Sequence, residues 1–155
     1  MRDLQSHDVH LHYFLRPDHW DVADLWVSNW SASMPALGFN ARHDWLFDHL
    51  ETLHEKGSAT VCAVNTRSGG IAGFVTVNAD TGRLEQIVVA STARGSGVAG
   101  KLMEEARRIR PDGLDVEVEP DNERALRFFA REGFTPVDAP RAEAPVRLRW
   151  RGPSA

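Results

Sequence analysis

Apolar and polar residues alternate over residues 9–16, with Val9, Leu11, Tyr13 and Leu15 on one side and His10, His12, Phe14 and Arg16 on the other, until Pro17 ends the run. A period of two predicts a strand. The period then lengthens. Asp18 is placed to cap a helix with Val22, Leu25, Trp26, Asn29 and Trp30 at helical spacing, and a second helix over residues 42–56 gathers Trp45, Leu46, His49, Leu50 and Leu53 on one side before Gly57 stops it. The link between them, residues 31–40, is broken by Pro35 and Gly38.

The middle of the chain is β-rich. Residues 59–65 and 71–78 are apolar, β-branched runs joined by a Gly-rich turn, which predicts a hairpin, and after Asp80-Thr81-Gly82 a third antiparallel strand is expected over residues 84–90. A helix over residues 96–110 turns Val98, Leu102, Ala106 and Ile109 inward and is stopped by Pro111-Asp112-Gly113. In the strand predicted over residues 114–119, Leu114, Val116 and Val118 oppose Asp115, Glu117 and Glu119. Pro120 breaks that strand, Asp121 or Asn122 caps a helix reaching Arg131, and Gly133 ends it, so that a parallel βαβ unit is expected. Residues 134–137 and 146–150 read as the last strands. The resulting order, βααβββαβαββ, predicts one α/β domain of the α+β kind over residues 1–155, a mixed and mainly antiparallel central sheet flanked by helices.

Composition narrows the functional classes. With 155 residues and 42% of them apolar, the chain has material for one sizeable core. A net charge of −4 and a pI near 5.9 give no general attraction to nucleic acid or anionic lipid, and mildly favour a cationic partner. No run approaches the ~20 apolar residues of a membrane span, and the stretch MRDLQSHDVH lacks the apolar core of a signal peptide, so a cytoplasmic protein is expected. Cys62 sits inside an apolar run and reads as a buried structural thiol. His10 and His12 share a strand face without a visible third ligand, so no metal is expected. Trp20, Trp26, Trp30 and Trp45 fall in the predicted helical pair, where core packing is the plainer reading and an aromatic box for a cationic substrate the sharper one.

The candidate chemistry centres on Arg94-Gly95-Ser96-Gly97-Val98-Ala99-Gly100, between the third strand of the meander and the helix after it. Glycines leave backbone N–H groups closely approachable, and a helix start adds unpaired donors and the positive end of its dipole. The string Gly95-x-Gly97-x-x-Gly100, with Asp115 and Glu117 roughly 20 residues on, also spells a dinucleotide fingerprint. That fingerprint belongs directly after the first strand of a doubly wound sheet. Here it follows a run of antiparallel strands, with too little chain left for such a fold. Arg94-x-x-Gly97-x-Ala99 fits the (Gln/Arg)-x-x-Gly-x-(Gly/Ala) loop of the GCN5-related N-acetyltransferases, and Asn122-x-x-Ala125-x-x-Phe128-Phe129-x-x-x-Gly133-Phe134 resembles that family's second conserved segment. The two stretches stand in order and correctly spaced, and the predicted element order is that of the family's fold.

The resemblance implies an acetyltransferase that uses acetyl-CoA as co-substrate and acetylates a primary amine of a small molecule or peptide by direct attack, acting as a monomer or homodimer. It implies that the backbone of Ile87, Val88 and Val89 holds the pantetheine arm. The N–H groups of Arg94, Gly95, Ser96, Gly97, Val98 and Ala99, with Gly100 in the same cradle, would hold the pyrophosphate, and Asn122 would line the pantetheine. One departure matters: the tyrosine that protonates the leaving thiolate in many members falls at Phe129, and the only tyrosine is Tyr13. A non-catalytic acyl-CoA-binding or interaction module is therefore the competing class. Two carboxylates are candidates for the general base: Glu85, just before the pantetheine-binding part of its strand, and Glu117. On one strand face Asp115, Glu117 and Glu119 repel one another, which makes one of them a better proton acceptor, unless Arg147 and Arg149 of the last strand pair with them.

Overall fold

In a computed structural model, residues 8–13, 48, 51–52, 54–68, 70–139 and 144–153 are described. The first predicted helix, the link over residues 31–40, most of the second helix and the four tryptophans lie outside them. The elements are β1 (Val9–Tyr13), β2 (Ser58–Asn65), β3 (Ile71–Asn78), β4 (Leu84–Val89), α1 (Val98–Ile109), β5 (Gly113–Val118), α2 (Glu123–Arg131), β6 (Thr135–Pro136) and β7 (Val146–Arg151). Helical residues also precede Gly57, whose φ of 99° and N–H bond to His54 O at 3.2 Å end that helix where its sequence places the stop.

The strands form two sheets, β1-β2-β3-β4 and β5-β7-β6, each antiparallel throughout. They meet at one parallel bridge, Arg83 to Asp115, reinforced by Asp115 N–H donating to Gly82 O at 2.8 Å. The central sheet expected as one piece is thus opened along its middle. The βαβ unit holds in direction only. β5 and β6 run parallel, but β7 lies between them, because β7 pairs with β5 from Gly113↔Arg151 to Val118↔Val146. Its pairing with β6 covers Thr135 and Pro136, with one further bond from Val137 N–H to Arg147 O at 2.9 Å.

One apolar cluster spans both sheets. Val98, Leu102, Met103 and Ala106 of α1 and Phe129 of α2 pack against Val75, Val77 and Leu84 of the first sheet and Leu114, Val116 and Leu148 of the second. The period-two pattern of β5 is realised directly: Leu114, Val116 and Val118 are buried in this cluster, so Asp115 and Glu117 face the other way. β4 carries an irregularity that no periodicity announces. Thr76 pairs with Gln86 and Val77 with Leu84, which leaves Glu85 as the extra residue of a β-bulge.

α1 lies close on β3 because Gly73 has no side chain. A Cβ there would stand 2.7 Å from Val88 O and 3.1 Å from Leu102 Cδ1. Gly73→Ala is therefore expected to destabilise the protein by about 1–3 kcal/mol through overpacking, and Leu102→Ala by about 2–5 kcal/mol through the cavity it leaves. The midpoint of urea unfolding checks both; an unchanged midpoint in either variant would contradict this packing.

Candidate active site

After its one bridge to β5, β4 is an edge strand among the described residues. Ala90 N–H donates to Ala72 O at 2.8 Å. Because bonded pairs alternate along an antiparallel ladder, Val88 commits its peptide groups to Phe74, whereas those of Ile87 and Val89 face the open edge. A cleft of about 620 Å³ opens there. β4 walls one side with Ile87, Val88 and Val89, and α2 walls the other with Asn122, Ala125 and Phe129.

The floor of the cleft is the turn into α1. Gly95 and Gly97 stand at φ 78° and 91°, the left-handed region that glycine enters without strain, and Gly97 occupies the N-cap of α1 with no side-chain cap. The N–H groups of Gly95, Gly97, Ala99 and Gly100 have no backbone acceptor among the described residues. Arg94, Gly95, Gly97, Val98 and Ala99 all line the cleft. Ser96 does not, because its N–H donates to Ala93 O at 3.2 Å and its hydroxyl donates to the same oxygen. Gly100 is also outside the lining, one turn into the helix. What remains is a concave set of backbone donors at a positive helix end, suited to an anion.

Asn122 has two duties. Its side-chain oxygen accepts from Ala125 N–H at 3.2 Å, capping α2, and the same residue borders the cleft. Phe129 is 3% exposed and meets Phe128 and Phe134 edge-on at 5.2 and 5.1 Å. It presents an apolar wall and no proton. Tyr13 is on β1, at the opposite edge of its sheet, three strand spacings or about 14 Å from β4.

The two candidate bases lie outside the cleft lining, at the β4–β5 junction. The Arg83 guanidinium joins them, reaching Glu85 at 3.2 Å and Glu117 at 3.5 Å. Burial works against the Arg83 charge, but Glu85 and then Glu117 outweigh it and hold the group above its ordinary value. Arg149 bonds Asp115 at 2.6 Å, and that bond and the Asp115 charge hold it above its ordinary value too. Arg147 is in register with Glu117 but turns to Asp138 at 3.3 Å. The acidic row of β5 is thus not left to repel itself, since Asp115 and Glu117 each face a guanidinium. Glu119 lies past the end of the strand and is exposed. A smaller cavity of about 240 Å³ is bordered here by Thr81, Arg83, Asp115, Glu117 and Arg147.

Ala93 and Ala125 were not singled out as binding residues from the sequence, and neither were three further cleft residues, Arg124, Phe128 and Arg131. Their spacing of four and three puts them on one stripe of α2, a signal the sequence carries but one that reads as an ordinary helix face until the cleft is seen. Cys62 is fully buried in β2.

The family model of the acetyltransferase (GNAT) family matches residues 19–134. No curated protein sequence matches the chain. Among solved structures, a protein of Pyrococcus horikoshii superposes with a TM-score of 0.75 at 17% identity, covering 92% of this chain and 98% of that one. A GNAT-family acetyltransferase of Staphylococcus aureus gives 0.73 at 14% identity, with the same coverage. The PaiA N-acetyltransferase of Thermoplasma acidophilum, solved in complex with coenzyme A, gives 0.72 at 11% identity, again covering 92% and 98%.

Proposed function

The chain belongs to the acetyltransferase (GNAT) family, and from that premise we propose that it is a single-domain, cytoplasmic N-acetyltransferase that moves acetyl from acetyl-CoA to a primary amine of a small molecule or peptide. The observation that carries the donor assignment is the cleft itself. It combines an open strand edge, left-handed glycines at a helix start, and a lining with three arginines and no carboxylate among the described residues. Such a cleft fits a polyanion with an amide-bearing arm: the arm pairs with the free edge of β4 as an added strand would, and the phosphates meet the donors before α1. The coenzyme A complex of a protein sharing the fold supports the same donor.

When bound, acetyl-CoA supplies an activated acyl carbonyl and a thiolate leaving group. The chain's own contribution is to hold and orient. An N–H on the outer edge of β4, from Ile87 or Val89, is the donor type that stabilises charge on an acyl oxygen. Phe129 contributes apolar contact and excludes water. Glu117, 41% exposed in its side chain and held by an arginine that is itself 50% exposed, takes the proton of the attacking amine, with Glu85 at 16% as the second carboxylate of the pair. An ion pair that exposed is worth at most about 1 kcal/mol, so an incoming amine displaces it readily. Net charge −4 favours the approach of a cationic acceptor.

The buried, hydroxyl-free Phe129 favours a second reading, a domain that binds acyl-CoA without turning it over. Two measurements decide. Free-thiol release from acetyl-CoA across a panel of amines and peptide N-termini is expected to exceed the rate without acceptor; binding without release for every acceptor would favour the second reading.

For the donor site, Gly95 is the informative position, since a Cβ there meets nothing within 4 Å. Asp and Asn tolerate its backbone conformation similarly, so the difference between Gly95→Asp and Gly95→Asn isolates charge. Coenzyme A affinity, measured by calorimetry, is expected to fall at least about tenfold further in the Asp variant, or roughly 1.4 kcal/mol. Equal affinities would remove the phosphates from this loop.

For the chemical step, Glu117→Gln is expected to lower turnover by about a hundredfold or more, the usual contribution of a general base, with coenzyme A affinity unchanged. Phe129→Tyr is expected to raise turnover by no more than about tenfold. Unaltered turnover and pH profile in Glu117→Gln would move the base to Glu85 or to water. A gain of several orders of magnitude in Phe129→Tyr would mark the natural protein as an acetyltransferase kept for binding.

A further inference from the structure

The arginines of α2 divide into two kinds. Arg127 pairs with Glu123 one turn back, at 3.8 Å, and does not border the cleft. Arg124 and Arg131 border the cleft and form no ion pair with any described residue. They stand two turns apart on one stripe, about 10 Å along the helix axis, with Phe128 between them. Elsewhere among the described residues Arg83, Arg107, Arg147 and Arg149 each meet a carboxylate, whereas Arg151 forms no ion pair but does not border the cleft. The glycine loop before α1 already provides donors for a pyrophosphate, and Arg94 stands there with it. The two arginines of α2 therefore lack an assigned anion.

Building on the acetyl-CoA reading of the cleft, we propose that Arg124 and Arg131 recognise the adenosine 3′-phosphate, so that the protein selects coenzyme A over its 3′-dephospho form. A phosphate monoester carries about −1.5 to −2 charges at pH 7 and three acceptor oxygens. Arginine matches it with parallel N–H donors, in bonds stronger than those between neutral groups. Neither residue belongs to the glycine loop, which meets the pyrophosphate common to both nucleotides. The arginine pair accordingly adds selectivity without being needed for the loop to bind.

The test compares dissociation constants for coenzyme A and 3′-dephospho-coenzyme A, by calorimetry on the full chain. The wild type is expected to prefer coenzyme A by about tenfold, in line with one or two charge-assisted hydrogen bonds, and the preference should shrink as salt screens the exposed pair. Arg124→Ala combined with Arg131→Ala should reduce the preference to less than about twofold, with binding of the dephospho form nearly unchanged. Arg127→Ala should leave both constants as they were. Both arginines are exposed, so the variants are expected to fold, and their unfolding midpoints check this. Equal losses for the two nucleotides in the double variant would overturn the proposal, because the arginines would then serve the pyrophosphate or the fold. A wild type that binds both nucleotides equally would overturn it as well. If the wild type binds neither, the reading of the cleft falls first and this inference with it.

Discussion

The structure depends on a join that is made once and then abandoned. β4 and β5 run parallel and touch at Arg83 and Asp115, where Gly82 O accepts the Asp115 N–H, and beyond that point no ladder holds them together. A parallel pair that continued would have buried the edge of β4 and closed the sheet. Ending it leaves peptide groups of Ile87 and Val89 without strand partners among the described residues, and an exposed edge of this kind invites an extended ligand or another strand. The wedge stays open because a shared core lies beneath it. Leu84 on one side, Leu114 and Val116 on the other, and the buried face of α1 under both hold the two sheets in one cluster without a ladder between them. Removing the hydrogen bonds of the join is thus compensated by apolar burial at its base, and the opening becomes a permanent feature of the fold.

How much of this the chain announces depends on the range of the interaction. Strand and helix limits are local: the alternation of β5, the stops at Gly57 and Gly133, and the Asn122 cap are each written within a few residues and appear where they were expected. The glycine loop was legible for the same reason, since the positive φ of Gly95 and Gly97 favours glycine whatever surrounds it. Placements that depend on partners distant in sequence were not legible. The insertion of β7 between β5 and β6 depends on six pairings with β5 against two with β6. The bulge at Glu85 depends on the register of β3. Ser96 belongs to the loop by spelling but leaves the cleft lining because Ala93 O captures both of its donors.

Charge is sorted by region, and the sorting is invisible in a net value of −4. The cleft lining has arginines and no carboxylate among the described residues, whereas at the β4–β5 junction carboxylates and guanidinium groups interleave. The resemblance pointed to the loop, to β4 and, on α2, to Asn122 and Phe129, whereas the arginines at positions 124 and 131 look like ordinary solvated helix residues in the sequence. Their environment distinguishes them from Arg127, which has a glutamate one turn away.

The separation of these two regions constrains the chemistry. Glu85 precedes Ile87 by two residues, about 7 Å of strand, and Glu117 meets β4 through Arg83 at the same level. A general base needs to be within hydrogen-bonding reach of the proton it takes, or within one water of it. A carboxylate at the junction therefore cannot touch an acyl group lying against Ile87 and Val89 unless the amine extends from the junction toward the cleft or a water spans the gap. Phe129, packed between Phe128 and Phe134, gives no alternative route for a proton on the cleft side. An acceptor entering beside Arg83 and Glu117 would meet its base before it meets the carbonyl, and would have to loosen the Arg83 clamp to pass. The carboxylate that holds this arginine in the free protein would then be released for the amine by the amine's own arrival.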